Sequence, residues 1–383
     1  MNGELVVERP EGPYCPAGDF FIDPWRPVAR AVVTHAHADH ARRGHGAYLA
    51  QADGAAVLRA RLGPIALQTL AYGEPVELGG VRLSLHPAGH VLGSAQVRIE
   101  HRGEVWVVSG DYFVAGDAEA AGAGGDPNPT CPAFEPLRCH CFVTESTFGL
   151  PLYRWRAPRE LLAEVDAWWR ANADAGRASL LLAYSFGKAQ RLLAGVDAST
   201  GPIVVHGAVA AMNEACRAAG ARLPATVALD AVAGRAALAR ALVVAPPAVL
   251  GSAWTRRLGP HASGLASGWM QLRGARRRRG VDRGFALSDH ADWPGLLRAI
   301  DATGAGRVIV THGQEEVLVR WLRERGLDAG RFRTAWGDDE ADESAPERAA
   351  LAAPADDAAV GAERPGASDA PPARAPPDLS TAR

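Results

Sequence analysis

Lysine is almost absent from this chain: of its 41 lysine and arginine residues, only Lys188 is a lysine. This skew indicates codon bias, so the arginine content alone does not indicate phosphate binding. Long apolar runs are also missing. The sequence has no apolar stretch of the roughly eighteen residues that a transmembrane helix needs, and its acidic start, MNGELVVERPEGPYC, lacks the apolar segment of a secretory signal. We therefore expect a protein without a membrane partner.

Cysteines are few, and their spacing is uneven. The five lie at positions 15, 131, 139, 141 and 216. An odd number without a regular pattern disfavours a disulfide framework and predicts a reducing, cytoplasmic setting. Cys139 and Cys141 flank His140, but that spacing does not match a zinc knuckle, and we interpret them as strand residues.

Charge is distributed unevenly along the 383 residues. Residues 337–383 contain eleven acidic residues and four arginines, net −7, whereas the remainder contains 32 acidic and 37 basic residues, net +5. The acidic segment is rich in Ala and Pro and has almost no large apolar residues, so we expect a disordered tail. Residues 115–132 have the composition of a long flexible loop. The length of the rest predicts two domains.

Short apolar runs predict strands in the first 150 residues, and strand–helix alternation follows. The predicted strands of the first part cover 31–34, 81–86, 95–100, 104–109 and 141–144. In the second part, strands at 180–184, 202–206, 241–245, 284–288 and 307–311 alternate with helices at 158–170, 187–193, 294–303 and 315–325. This alternation is typical of a parallel α/β sheet.

Polar residues follow four of these strands directly, at His35, Asp111, Glu145 and His312. Because the carboxyl ends of strands in an α/β fold share an edge where sites assemble, we expect one site there.

The strongest motif is His35-Ala-His37-Ala-Asp39-His40, with three imidazoles and a carboxylate within six residues. Imidazole and carboxylate suit Zn²⁺, and Mn²⁺ is a plausible competitor. Two further candidates follow strands: His90, in a glycine-flanked turn, and Asp111, whose carboxylate could bridge two cations. We therefore predict two divalent metal ions.

This order of residues resembles the metallo-β-lactamase superfamily, whose early supporting aspartate matches Asp23. The segments around Glu145, Ser288–Asp292 and Val310–Gly313 are similar to the three motifs of the β-CASP nucleases. The resemblance implies that His312 completes the second metal site and that His290 and Glu145 form an outer pair, with His290 placed to protonate the leaving oxygen or stabilise the phosphate. The predicted catalytic residues are Asp39, Glu145 and His290. It also implies an αββα metallo-β-lactamase sandwich at 1–152 and 270–336, with an inserted α/β β-CASP domain at 153–269 and the tail at 337–383.

Further segments resemble the bacterial ligase-associated DNA exonucleases, among them Cys15–Phe20 and Ala266–Met270. That family implies a hydroxide generated at the metals that attacks a DNA phosphodiester, and partners that include an ATP-dependent DNA ligase and a helicase. Two features depart from the pattern. Phe113 stands where a lysine is expected, and His312 is a residue that RNA-acting members keep.

The substrate is expected to be single-stranded or tailed DNA, in DNA repair. Candidate nucleic-acid contacts are Lys188, at a strand-to-helix turn, and the cluster Arg276, Arg277, Arg278 and Arg279. Three alternatives stay open: an RNA-processing β-CASP ribonuclease, a hydrolase of small thioesters or lactams, and a nucleic-acid-binding scaffold with structural metals.

Overall fold

A computed structural model describes residues 4–114, 128–272 and 280–332 of the chain. The predicted tail at 337–383, the arginine cluster at 276–279 and most of the predicted loop at 115–132 lie outside this range. Among the described helices, none has the length and apolar character required to cross a lipid bilayer.

The first sheet comes from the N-terminal part of the chain. Its six strands follow one another in space as in sequence: β1 (Val7–Arg9), β2 (Gly12–Cys15), β3 (Phe20–Ile22), β4 (Arg30–Val33), β5 (Ala47–Gln51) and β6 (Leu67–Leu70). Strands β3 to β6 are parallel, and helix α1 (Ala55–Leu62) follows β5.

The second sheet has the order β19-β18-β11-β10-β9-β8-β7. Its strands are β7 (Pro75–Leu78), β8 (Val81–Pro87), β9 (Ala95–His101), β10 (Glu104–Val108), β11 (Cys141–Ser146), β18 (Arg307–Gly313) and β19 (Asp328–Arg331). Along this order, neighbours among β10, β11, β18 and β19 pair in parallel. Neighbours among β7, β8, β9 and β10 pair antiparallel. Helices α7 (Trp293–Thr303) and α8 (Glu315–Glu324) precede β18 and β19 respectively.

The two sheets pack face to face, as the alternation of side chains along their strands requires. In β4, Val32 joins the core between the sheets, while its neighbours Ala31 and Val33 face α1 on the outside. In β18, Ile309 points into the same inner core, and Val308 faces α7 and α8. Each sheet is therefore apolar on both faces and covered by helix on its outer face.

A third, fully parallel sheet is formed by the chain between β11 and α7. Its order is β14-β13-β15-β12-β16-β17, and its strands are β12 (Ala178–Leu182), β13 (Ile203–Val205), β14 (Val227–Ala228), β15 (Leu242–Ala245), β16 (His261–Ala266) and β17 (Arg283–Phe285). The accompanying helices are α2 (Pro158–Asp174), α3 (Lys188–Gly195), α4 (Gly207–Ala218), α5 (Gly234–Leu238) and α6 (Ala253–Arg256). We call these elements the third-sheet unit.

The structure confirms the predicted mixed α/β architecture. Each predicted strand or helix is present, with its ends shifted by a few residues. Trp168 and Trp169 pack in the core of the third-sheet unit, as the helical pattern of α2 predicts. Strand β17 pairs with β16, so residues 283–285 belong to the third sheet, although they fall within the range 270–336 predicted for the other domain.

Candidate metal centre

Four polar residues that follow or end strands converge at one edge of the two packed sheets. His35 follows β4, Asp111 follows β10, and Glu145 and His312 lie at the ends of β11 and β18. Gly110 makes this convergence possible. It adopts φ 57°, and a Cβ atom there would approach Thr34 Cβ to 2.7 Å, so only glycine lets the loop that carries Asp111 pack against the loop that carries the histidines.

The first candidate metal position is formed by His35, His37, His90 and Asp111, whose ligand atoms all lie within 4.8 Å of one another. His37 Nδ1 is 3.0 Å from His35 Nε2 and 3.1 Å from His90 Nε2. Ligands at 2.0–2.1 Å from a tetrahedral zinc ion are roughly 3.3 Å apart. The spacing of the nitrogens therefore fits a divalent ion.

The second candidate position is formed by His40, Asp111 and His312. Asp111 Oδ1 lies 3.0 Å from His312 Nε2, and its Oδ2 lies 3.3 Å from His40 Nε2 and 3.5 Å from His35 Nε2. One carboxylate thus faces both positions. Asp39 lies at the rim: its side chain is 39% exposed and its Oδ2 is 3.5 Å from His40 Nε2.

Hydrogen bonds on the far side of each ring fix the tautomers. His37 Nε2 donates to the Phe186 carbonyl (3.2 Å), and His90 Nδ1 donates to the Asp289 carbonyl (2.8 Å), since a carbonyl only accepts. His40 Nδ1 donates to Asp23 Oδ2 (2.7 Å). The opposite nitrogen of each ring is therefore unprotonated in the neutral form and directs its lone pair inward.

The tautomer of His35 is fixed in the same way, through a hydrogen bond to Thr34. Thr34 Oγ1 donates to Asp23 Oδ2 (2.5 Å), so it accepts from His35 Nδ1 at 3.1 Å. Asp23 also accepts from the Thr34 N–H through its Oδ1 (2.7 Å). Four imidazole lone pairs and the Asp111 carboxylate consequently converge on one small space. These groups repel one another unless a cation lies between them, so the donor set fits the predicted metals.

Electrostatics divides the histidines into two groups. Burial lowers the pKa of His37 to about 3 and that of His90 to about 4, and burial also lowers the pKa of His35. These rings are neutral, as metal ligands must be. At His40 the carboxylates of Asp111, Asp39 and Asp23 outweigh the effect of burial and raise the pKa.

Glu145 and His290 form a pair beside the metal positions. His290 Nδ1 lies 3.0 Å from each Glu145 oxygen. Burial lowers the pKa of His290, but the Glu145 carboxylate outweighs burial and raises it to about 9. Glu145 is itself held by the Tyr112 N–H (2.9 Å) and the Thr147 hydroxyl (2.5 Å). The His290 ring packs 4.6 Å from that of His90.

Comparison with known proteins gives a family, although no family model matches the chain. The chain is 32% identical over 326 residues to a "Probable DNA ligase" of Opitutus terrae, covering 84% of this chain and 30% of that protein. It is 28% identical over 131 residues to the "Endoribonuclease YSH1" of Yarrowia lipolytica, covering 34% of this chain and 14% of that protein. The chain belongs to the β-CASP branch of the metallo-β-lactamase superfamily.

A further relative matches this chain over a similarly small part of its own length. The Arabidopsis thaliana "Cleavage and polyadenylation specificity factor subunit 3-I" is 30% identical over 131 residues, covering 34% of this chain and 17% of that protein. The chain thus spans less than a third of the length of these relatives.

A crystal structure of a protein of unknown function from Enterococcus faecalis V583 superposes with a TM-score of 0.54 at 12% identity, covering 81% of this chain and 80% of that one, and shows similarity of fold.

The structure brings together all of the predicted metal residues, with Asp39 at the rim. Asp23, Glu145 and His290 surround them. Lys188 also lies close: it is 3% exposed, at the start of α3, with its Nζ 4.8 Å from the centre of the Tyr184 ring. Its positive charge lowers the pKa of the buried Asp289, which burial alone would raise.

Sequence reasoning missed the main-chain groups and the side chain of helix α3 that contact residues around the candidate metal positions. The carbonyls of Phe186 and Asp289 have no sequence signal. Arg191 is 2% exposed and pairs with Asp289, yet in the sequence it is one more arginine on a helix. Asn128 Nδ2 donates to the His90 carbonyl at 3.0 Å, and it lies in the segment predicted to be a flexible loop.

Proposed function

We propose that this protein is a metal-dependent phosphodiesterase that acts as a DNA exonuclease. The observation that carries the proposal is the convergence of four inward-facing imidazole nitrogens on Asp111, whose carboxylate faces both ligand groups: Oδ2 lies near His35 of the first and His40 of the second, and Oδ1 lies near His312 of the second. A closed structural zinc site has four ligands around one ion, whereas two adjacent positions that share a carboxylate suit phosphoryl chemistry. The relatives named as endoribonucleases support this choice over a thioester hydrolase or a structural scaffold.

Two divalent ions, Zn²⁺ or Mn²⁺, are the proposed cofactors. His35, His37, His90 and Asp111 would hold one, and His40, Asp39, Asp111 and His312 the other. When bound, such ions supply a hydroxide nucleophile at neutral pH and neutralise charge on the phosphate. The chain contributes the neutral imidazoles that accept the ions, and Asp23 orients His40 towards them.

His290 is the proposed donor of the proton that the leaving oxygen requires. Glu145 keeps it charged at neutral pH, and the packing of its ring against His90 places it at the edge of the ligand group. General acid catalysis by a positioned side chain contributes about 10²- to 10⁴-fold to a rate. Asp39, at the exposed rim, is the remaining member of the proposed catalytic set.

DNA is the proposed substrate because the match to the protein named a probable DNA ligase covers 84% of this chain, against 34% for the match to the endoribonuclease. We place the activity in DNA repair, alongside an ATP-dependent DNA ligase and a helicase, on single-stranded or tailed DNA. The proposed contacts to its backbone are Lys188 and the arginines at 276–279.

The arrangement of the three sheets supports the assignment to this superfamily. We propose that the first two sheets with their outer helices are the metallo-β-lactamase sandwich, and that the third-sheet unit is the inserted β-CASP domain. In this division the strand pairing of β17 with β16 extends the inserted domain to residue 285, beyond the limit of 269 predicted from the sequence.

An RNA-processing ribonuclease is the second candidate. Two observations favour it: His312, a residue that by the family resemblance RNA-acting members keep, lies 3.0 Å from Asp111 and completes the second ligand group, and relatives over 131 residues are named endoribonucleases.

The deciding experiment uses matched single-stranded DNA and RNA oligonucleotides, each labelled separately at the 5′ or the 3′ end. Purified protein is assayed with Mn²⁺ or Zn²⁺, and the Asp111→Ala variant runs in parallel. Progressive shortening of DNA, absent in the variant, is the expected result and gives the polarity. Cleavage of RNA alone would replace the first function by the second. Equal cleavage by the variant would overturn the proposed chemistry.

A further inference from the structure

Two of the three histidines at the first candidate metal position, His37 and His90, take their outer supports from a different part of the chain than His40 at the second. Beside the second position, His40 is held by Asp23, which follows β3 of the first sheet. Beside the first position, His37 and His90 are held by the carbonyls of Phe186 and Asp289, which lie before α3 and after β17. The first position is thus supported from the third-sheet unit.

Both of these carbonyls are positioned by helix α3 and the residues that lead into it. Phe186 lies two residues before the helix, and Gly187 lets it come close: a Cβ at Gly187 would collide with Val91 and lie 3.4 Å from His37 Nε2. One turn further, Arg191 Nη1 donates to Asp289 Oδ1 at 2.9 Å and to the Ser288 carbonyl at 2.6 Å. The loop that presents the Asp289 carbonyl to His90 is therefore anchored by a side chain of α3.

The environment of Arg191 suits a fixed anchor. Arg191 and Asp289 are almost fully buried, so neither exchanges its partner with water. The Phe113 ring lies 4.6 Å from the Arg191 guanidinium. The planar fork of an arginine can bond a carboxylate and a carbonyl at once, which a lysine ammonium does with less geometric definition.

We propose that Arg191 is a positioning residue for the first metal position: through Asp289 it holds His90, so that the third-sheet unit contributes to the affinity of the first ion alone. Asp23 supports His40 at the second position and, through Thr34, His35 at the first. The proposal rests on the metal centre proposed above, and not on the identity of the nucleic acid. Loss of an outer-shell partner typically lowers metal affinity about 10- to 100-fold.

The test is a metal titration without nucleic acid. Chelator-treated protein is titrated with Co²⁺ in competition with a chromophoric chelator, and the visible absorption of bound Co²⁺ reports the ligand geometry at each binding step. The variants are Arg191→Met, Arg191→Lys, Asp23→Asn and the double variant that combines Arg191→Met with Asp23→Asn. Arg170→Met is the control, because Arg170 belongs to the same unit but forms an exposed ion pair with Asp197.

The parent protein is expected to bind two ions. Arg191→Met should weaken one binding step about 10- to 100-fold and leave the other unchanged, with a smaller loss in Arg191→Lys. Asp23→Asn should weaken the step that Arg191→Met leaves unchanged and also lower the affinity of the first, because Asp23 holds His40 directly and His35 through Thr34. The double variant should weaken both steps. The control should match the parent.

Unchanged affinities in Arg191→Met, or equal weakening of both of its binding steps, would overturn the proposal. Should Arg191→Met fail to fold, Asp289→Asn provides the same test, because it removes the carboxylate that Arg191 binds and keeps the carbonyl that faces His90. A parent protein that binds no metal would overturn the metal centre itself, whereas a lack of nuclease activity would leave this proposal standing.

Discussion

Glu145 engages His290 through both of its carboxylate oxygens, each 3.0 Å from the same ring nitrogen. The carboxylate is buried and also accepts from the Tyr112 N–H and the Thr147 hydroxyl. Because these bonds fix the carboxylate from three sides, they fix the plane and the charge of the imidazole.

Glu145→Gln keeps the shape of this pair and removes the negative charge. We expect the single-turnover rate of oligonucleotide cleavage to fall about 10²- to 10⁴-fold, because burial then disfavours the protonated imidazole. The folded structure should persist by circular dichroism. Glu324→Gln, at an exposed ion pair with Arg320, is the control and should keep the parental rate. If Glu145→Gln cleaved at the parental rate, a protonated His290 would not be the proton donor.

Removal of metal is expected to lower stability as well as activity. An ion that binds only the folded chain contributes about 2.7 kcal/mol when its concentration is 100 times its Kd. Chelation should therefore lower the Tm and stop cleavage, and added Mn²⁺ or Zn²⁺ should restore both. Asp111→Ala should show a much smaller metal-dependent change in Tm, since it loses the carboxylate common to both positions. A parental shift in that variant would place the ions elsewhere.

Gly110→Ala tests the contact between the two loops. Gly103 offers a matched control: it also has a positive φ, 84°, but a Cβ there meets nothing within 4 Å. Both substitutions should cost about 1–2 kcal/mol of unfolding free energy from the left-handed backbone. Only Gly110→Ala should also weaken Co²⁺ binding, because its new Cβ meets Thr34. Equal metal affinity in the two variants would show that this contact does not position Asp111.

The buried cysteines should resist alkylation in the folded protein. Burial raises the pKa of Cys139 to about 11 and that of Cys141 and Cys216 to about 12. The thiolate is the reactive form, and a raised pKa keeps its population small until the pH approaches that value. At about pH 8, half a unit below the ordinary thiol pKa, we expect slow labelling by iodoacetamide at these three positions, followed by mass spectrometry, and fast labelling in denaturant. Fast labelling of folded protein would contradict the burial of these thiols.

Replacing the arginines at 276–279 by alanine should reduce the salt dependence of DNA binding. Each phosphate contact that is lost lowers the slope of log K against log salt by about 0.7 for a single strand. Fluorescence anisotropy at several salt concentrations measures the slope, with a variant of the exposed Arg156 and Arg170 of the third-sheet unit as the control. An unchanged slope would place the phosphate contacts elsewhere.

Sequence analysis predicts those features of the molecule that depend on the type of a single residue. A polar residue that ends an apolar strand is conspicuous, so His35, Asp111, Glu145 and His312 are all found at the predicted edge. Strands β1 to β3 have three or four residues each, too few for their alternation to predict a strand.

The outer supports of the centre are less accessible to sequence reasoning, for a physical reason. The groups that hold His37 and His90 are main-chain carbonyls, which every residue carries. Arg191 lies 98 positions from its partner Asp289 along the chain, and only the folding of the third sheet brings them together.

The position of helix α3 against the histidines limits how this protein can be re-engineered. An exchange of the third-sheet unit for that of another β-CASP protein, made in order to alter substrate range, would also exchange the residues at 186 and 191. The grafted unit would then supply different groups beside His37 and His90, and on the proposal above the metal affinity of the chimera would change together with its substrate range. A successful chimera must therefore keep the Phe186–Arg191 segment of the host.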